Sequence, residues 1–139
     1  MDLSDFDQVV EQQHRALVEF WRGNYEPAAK LWSRRDVITL GNPFGPFARG
    51  YEQILPAMQH AASLYRDGEA VGFDLVAKEV TAEFAYLVEV ERLRAKMGGS
   101  EEVTPVELRS QASFGTTTAR GGSCIVTRIR SRPLGRRTQ

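Results

Sequence analysis

One cysteine, Cys124, is present, so the chain cannot close an internal disulfide, and a reducing, cytoplasmic setting is expected. Histidine is nearly as scarce. His14 and His60 are the only two, and neither has the H-x-x-H or E-x-x-H spacing of a metal site, so no metal is expected. No apolar run is long enough to span a bilayer. The opening "MDLSDFDQ" is acidic, which predicts no signal peptide and no membrane association. A P-loop, a G-x-G-x-x-G after a strand and a serine-nucleophile motif are all missing, so no nucleotide cofactor is expected. The last absence is local. Thr116 to Gln139 holds six arginines but no Asp, Glu or Lys.

What is present suits one globular domain. The 139 residues are 42% hydrophobic and 26% charged, enough to bury a core without metals or disulfides. A single domain over 1–131 is expected, with 132–139 as a disordered basic tail. The net charge of zero is the balance of two unequal parts. All 18 acids precede the tail, and the tail carries six of the 18 basic residues. A basic arm suggests nucleic acid. This one lacks aromatic interleaving and lysine, and the acidic body would repel phosphates, so no nucleic-acid partner is expected.

Local patterns order the chain. Ser4 and Asp7 form an S-x-x-D capping box. Phe6, Val10, His14, Leu17 and Trp21 then recur at helical spacing until Gly23-Asn24. "YEPAAKLWS" reads as a short second helix with Pro27 in its first turn. "DVITL" (36–40) is a short strand, and "GNPFGPFARG" (41–50) a loop. A third helix covers Tyr51 to Arg66, stopped by Asp67-Gly68. Val71, Phe73 and Leu75 alternate as a strand. So do Phe84, Tyr86, Val88 and Val90, running on to Arg92 and Arg94. "MGGSEE" (97–102) is a hairpin turn. "VTPVELRSQ" (103–111) is a strand in which Pro105 suggests an edge or a bulge. This order gives an α+β fold with the helices on one face of a sheet.

The order, together with "LWSRRDVITLGNPFGPFARGYEQI" and "AYLVEVER" (85–92), resembles the SnoaL-like branch of the nuclear-transport-factor-2-like (NTF2-like) superfamily over residues 5–110. Ketosteroid isomerases, polyketide cyclases and scytalone dehydratase share that fold. The resemblance implies a cone: three N-terminal helices packed on a strongly curved, mixed or antiparallel sheet. A pocket for a small apolar ligand lies at the wide end. It also implies a homodimer joined through the sheet.

Members of this branch end in two strands resembling "VFRRDDGxWRIVHRHADPL". This chain does not. Permissible codons from Ala112 to Ser131, read with the first two bases dropped, translate as "VFRHDDGAWRIVHRHADPL". A change of reading frame near residues 109–112 would explain the Arg-only tail and the stray Cys124. "GSCIVTRIR" (122–130) still alternates and can pair as a strand. A weakened last strand is expected.

Candidate site residues follow from the pattern and the resemblance. His14 lies on the apolar stripe of the first helix. Ketosteroid isomerases hold an oxyanion-binding tyrosine at a similar position, and histidine can donate there or shuttle a proton. Equally, it reads as a half-buried histidine bonded to a backbone carbonyl. Asn42 lies near the isomerases' general-base aspartate. An amide cannot take that proton but can orient a carbonyl or a water, and Asn before Pro also simply starts a turn. Trp32, Phe44, Tyr51, Met58, Tyr65, Phe73 and Tyr86 supply a pocket lining, with Tyr65 and Tyr86 favoured for their hydroxyls. Glu89, Glu91, Arg92 and Arg94 alternate along one strand, either across a dimer face or as a solvated ladder. Three functions remain open: small-molecule binding without catalysis, a cofactor-independent isomerase, cyclase or dehydratase acting on an apolar ring ketone or polyketide, and a damaged family member with an incomplete site.

Overall fold

The first helix, α1, runs Leu3–Phe20 in the computed structural model, which describes residues 3–41, 46–116 and 123–131. Leu3 is already helical, so Ser4 lies inside the first turn and not ahead of it as the capping box required. Asp7 instead reaches across to Lys78 at 3.0 Å. The apolar stripe behaves as its period predicts: Phe6, Leu17, Phe20 and Trp21 are buried. The second helix, α2, is one turn, Glu26–Ala29, with Pro27 at its start, and Trp32 just beyond is buried. The third, α3, spans Tyr51–Ser63 and buries Ile54, Met58, Ala61 and Ala62. Gly50 precedes it at φ 77°, a backbone that favours glycine.

The strands are β1 Thr39–Gly41, β2 Ala48–Arg49, β3 Tyr65–Val80, β4 Phe84–Met97, β5 Val103–Thr116 and β6 Ser123–Ser131. They form one mixed sheet in the order β2-β1-β6-β5-β4-β3. Only β1 and β6 run parallel. The α+β architecture with three helices is as expected, and so is the mixed sheet.

Three local expectations are corrected. The first strand begins later than Asp36, because Asp36 and Val37 are exposed and pairing starts at Thr39. A two-residue strand, β2, lies inside the Gly/Pro segment, held by Leu40↔Ala48 pairing. Asp67-Gly68 does not separate α3 from a strand starting near Val71. The strand already begins at Tyr65, and the pair lies in an irregularity between Arg66 and Glu69. Asp67 takes φ 53° there and its carboxylate meets Lys96 at 3.0 Å. Gly68 donates its N–H to the Trp21 carbonyl at 3.1 Å, which ties the end of α1 to β3.

Pro105 has its edge in a restricted sense. Strand β5 lies inside the sheet, but its register with β6 stops at Arg109↔Ser131. At Pro105 the only described partner strand is β4, through Arg94. The tail segment forms β6 as its alternation allowed. It pairs from Arg109↔Ser131 to Thr116↔Ser123 with β5, and with β1 on its other side.

The side of the sheet that faces the helices decides the site. In β4, Ala85, Leu87, Glu89, Glu91, Leu93 and Ala95 are buried. Tyr86, Val88, Val90 and Arg92 alternate with them and lie on the outer face. That outer face carries a charged group in which Arg92 bonds both Asp74, at 2.6 Å, and Glu107.

Candidate functional site

His14 and Glu89 meet between α1 and β4. The helix period puts His14 on the stripe turned to the sheet, and strand parity puts Glu89 on the side facing the helix. Nε2 of His14 lies 2.9 and 3.0 Å from the two Glu89 oxygens. A carboxylate only accepts, so Nε2 carries the proton and donates to both. The imidazole is also stacked on Phe73 of β3, with centroids 3.7 Å apart and planes 8° apart. Phe73 also stacks against Trp21, just past the end of α1, at 5.8 Å and 18°. Residues 14 and 21 are about two helical turns apart in sequence, so the helix and its end bring both rings to Phe73.

The two members of the pair differ in exposure. The Glu89 side chain is 3% exposed and His14 25%. Glu89 is therefore fixed in the interior, while the imidazole reaches accessible space. With Nε2 committed, Nδ1 is the nitrogen left for a ligand or a water, and it has no hydrogen-bond partner among the described residues. Other buried polar residues lie nearby: Gln13 beside His14 on α1, Glu91 two positions beyond Glu89, and Ser110 opposite Glu89 in the β4–β5 register. The indole N–H of Trp21 is buried and meets no hydrogen-bond acceptor among the described residues.

The remaining predicted residues do not all converge on this point. Asn42 and Phe44 lie outside the described residues. Trp32, Met58 and Tyr65 are core residues, each no more than 5% exposed. Phe73 joins the site as the ring under His14. Tyr51 lies at the start of α3 beneath the Arg34 guanidinium, 3.6 Å from ring centre to Cζ. It lines a surface cleft of about 400 Å³ with Asp36, Arg49 and Gln53. Tyr86 is on the outer face, in a hollow of about 300 Å³ with Glu79, Thr81, Phe84 and Ser113. Its expected place facing the helices is corrected by strand parity: Ala85 and Leu87 occupy that side. No group of three potential metal ligands occurs among the described residues.

Glu89 is the residue that sequence reasoning missed. Phe84, Tyr86, Val88 and Val90 form the larger apolar set, which made the even positions look internal. The signal for the other choice was Leu93 and Ala95, which share parity with Glu89 and lie opposite Arg92 and Arg94. The carbonyl-bonded reading of His14 is also replaced, since its partner is this carboxylate.

Solved structures share the fold. A ketosteroid isomerase-like protein from Erwinia carotovora atroseptica superposes with a TM-score of 0.77 at 14% identity, covering 96% of this chain and 97% of that one. A protein named as a dehydratase of the NTF2-like family from Streptomyces avermitilis gives 0.74 at 18%, covering 96% and 97%. An NTF2-like superfamily protein from Salmonella enterica serovar Typhimurium gives 0.73 at 15%, covering 96% and 94%. The chain has the NTF2-like fold. Neither a family model nor a curated protein matches the sequence itself. At these identities the NTF2-like neighbours speak for fold alone, and function has to be argued from the His14 site.

Proposed function

We propose that this NTF2-like chain binds a small apolar ligand in a conical space between its helices and a bent sheet, with the His14–Glu89 pair as the polar centre. The observation that carries this reading is the imidazole itself. It is held by a buried carboxylate and an aromatic stack, yet a quarter of it is exposed. A histidine needed only as a brace has no reason to keep that access. Irregularities in the β3–β4 pairing, between Arg66 and Glu69, Ala70 and Gly72, and Leu75 and Ala77, support a bent sheet, since such insertions bend a strand. The half-buried Tyr86, Val88 and Val90 on the outer face support a homodimer joined there.

A second reading is a cofactor-independent isomerase, cyclase or dehydratase acting on a ring ketone or polyketide. The anchored Nε2 favours it. A fixed tautomer presents Nδ1 as a base, and Glu89 stabilises the imidazolium that forms when Nδ1 takes a proton. The neighbours named as a dehydratase and as ketosteroid isomerase-like are consistent with this reading.

The test is uptake from a panel of fused-ring ketones and polyketides, with loss of the α-proton followed by deuterium exchange. Ligand uptake that falls at least tenfold in His14→Ala supports the binding site. Deuterium exchange lost in His14→Ala and reduced in Glu89→Gln adds the catalytic reading. Uptake by neither protein, or equal uptake by both, would refute the assignment. We infer separately that the segment after about residue 110 arose by a change of reading frame. An uninterrupted frame in independent isolates, with no shifted ending in close relatives, overturns that origin.

A further inference from the structure

We propose that the cleft at the start of α3 is a second binding site, which takes a small free amino acid by its carboxylate and its ammonium group together. It rests on a different observation from the His14 reading and stands or falls apart from it. The cleft, of about 400 Å³, brings together Arg34 and Asp36 from the segment before β1, Arg49 from the end of β2, and Tyr51, Glu52 and Gln53 from the first turn of α3. Its walls are tied to one another. The Arg34 guanidinium lies over the Tyr51 ring, 3.6 Å from the ring centre. Arg49 donates its Nε–H to the Asp36 carbonyl at 3.2 Å and its backbone N–H to Gln53 Oε1 at 3.0 Å. Gly50 donates its N–H to the Ile38 carbonyl at 2.8 Å, which fixes α3 against β1.

These contacts use a ring face, backbone carbonyls and an amide, and they leave the charges uncompensated. Two cations and two anions line the cleft, and none of the four forms an ion pair among the described residues. Elsewhere on the surface opposite charges meet: Arg15 with Glu11 at 2.8 Å, and Arg66 with Glu101 at 2.9 Å. A cleft of balanced charge favours neither a simple anion nor a simple cation. It suits a ligand that carries both charges. The terminal N–H groups of Arg34 and Arg49 can fork onto a carboxylate. Asp36 and Glu52 can accept from an ammonium group. The Tyr51 ring edge and the arginine stems offer apolar contact to a short side chain. Glu52 has a second reason for its place, since an acid in the first turn suits the positive end of α3. Asp36 has none. It is exposed, it precedes the pairing of β1, and its carboxylate meets no described group. Asp36 is therefore the residue that separates a binding site from a solvated cluster of charges.

The test uses three probes on the full chain, read by NMR shift titration at mildly acidic pH. L-norleucine carries both charges, N-acetyl-L-norleucine only the carboxylate, and L-norleucinamide only the ammonium. L-norleucine is expected to bind about tenfold more tightly than either derivative, because each derivative forgoes one set of charge-assisted bonds. Arg34→Gln should weaken L-norleucine and N-acetyl-L-norleucine about fivefold and leave L-norleucinamide unchanged. Asp36→Asn should weaken L-norleucine and L-norleucinamide and leave N-acetyl-L-norleucine unchanged. Both residues are exposed, so each variant should melt within about 2 °C of wild type. If Arg34→Gln unfolds because Tyr51 loses its cover, Asp36→Asn decides alone. No binding of L-norleucine, equal affinity for all three probes, or a single-charge derivative that binds as tightly as L-norleucine overturns the site. So does an unchanged L-norleucine affinity in Asp36→Asn. Each of these failures leaves the ketone panel, and with it the His14 reading, untouched.

Discussion

Removing either member of the His14–Glu89 pair should destabilise the fold unequally, and the inequality follows from exposure. In His14→Ala the carboxylate stays in the interior, 3% exposed, without the donor that both its oxygens use. Breaking a buried pair from this side costs about 3–5 kcal/mol. Loss of the stack on Phe73 adds roughly 0.5–1.5 kcal/mol. In Glu89→Gln the packing is kept, and the imidazole, 25% exposed, can turn to water for a partner. That change should cost only about 1–2 kcal/mol, the difference between a charge-assisted and a neutral bond. The double variant should be less destabilised than the sum of the two, by about 1.5–3 kcal/mol, because the carboxylate whose isolation dominates His14→Ala is then absent. Urea unfolding followed by tryptophan fluorescence reports this directly, since Trp21 and Trp32 are both buried. Additivity within about 0.5 kcal/mol, or a greater loss in Glu89→Gln than in His14→Ala, would refute the reasoning.

Four further outcomes are expected. Gly68→Ala would place a Cβ 2.4 Å from the Trp21 carbonyl oxygen and 2.5 Å from its Cβ, with backbone that cannot yield. It should cost about 2 kcal/mol or more, read as a lowered urea midpoint, and an unchanged midpoint contradicts the contact. Deleting everything after Thr116 removes the strand between β5 and β1, so β1 and β2 lose their link to the sheet and the cooperative transition should disappear. Deleting only 132–139 should leave melting within about 2 °C, and a larger drop would show that those residues stabilise the domain. The Glu101 carboxyl is held below its ordinary value of 4.5 mainly by its hydrogen bond from Arg66. A lowered value means that this stabilisation is present above pH 4.5 and is lost as pH falls through the lowered pKa. Carboxyl NMR titration should show Glu101 returning toward 4.5 in Arg66→Gln, and no movement excludes Arg66 as the cause.

The parts of the fold that were legible in the sequence are those where one periodicity acts alone. Phe6, Leu17 and Trp21 mark α1 because one stripe of it faces the core. The β4–β5 hairpin shows in alternation bounded by Gly98-Gly99. The parts that were not legible depend on contacts distant in sequence. Strand β2 exists only because Leu40 offers Ala48 a partner, and no two-residue stretch can announce that. Asp67-Gly68 has the composition of a turn, but docking of Gly68 on the Trp21 carbonyl keeps the strand continuous around it. The site divided the same way. His14 was visible on its stripe. Glu89 was hidden because β4 has apolar residues on both faces, so parity could not say which face was inside.

The abrupt change in composition near residue 111 falls beyond every residue of the proposed site. His14, Phe73 and Glu89 come from α1, β3 and β4, all before it. From the last stretch the fold requires something less specific: a strand of period 2 that pairs with β5 on one side and β1 on the other. Ladder pairing is made by backbone groups, which any non-proline residue supplies, and Ser123–Ser131 contains no proline. A segment can therefore lose its acids, its lysines and every resemblance to a family ending, yet still occupy an inner position in the sheet. A gap where the last strand belongs would have favoured the damaged-member reading; β6 occupies that position between β1 and β5. If the reading frame did change here, the fold tolerated it because this strand contributes hydrogen bonds to the sheet, while the proton-carrying groups reside elsewhere.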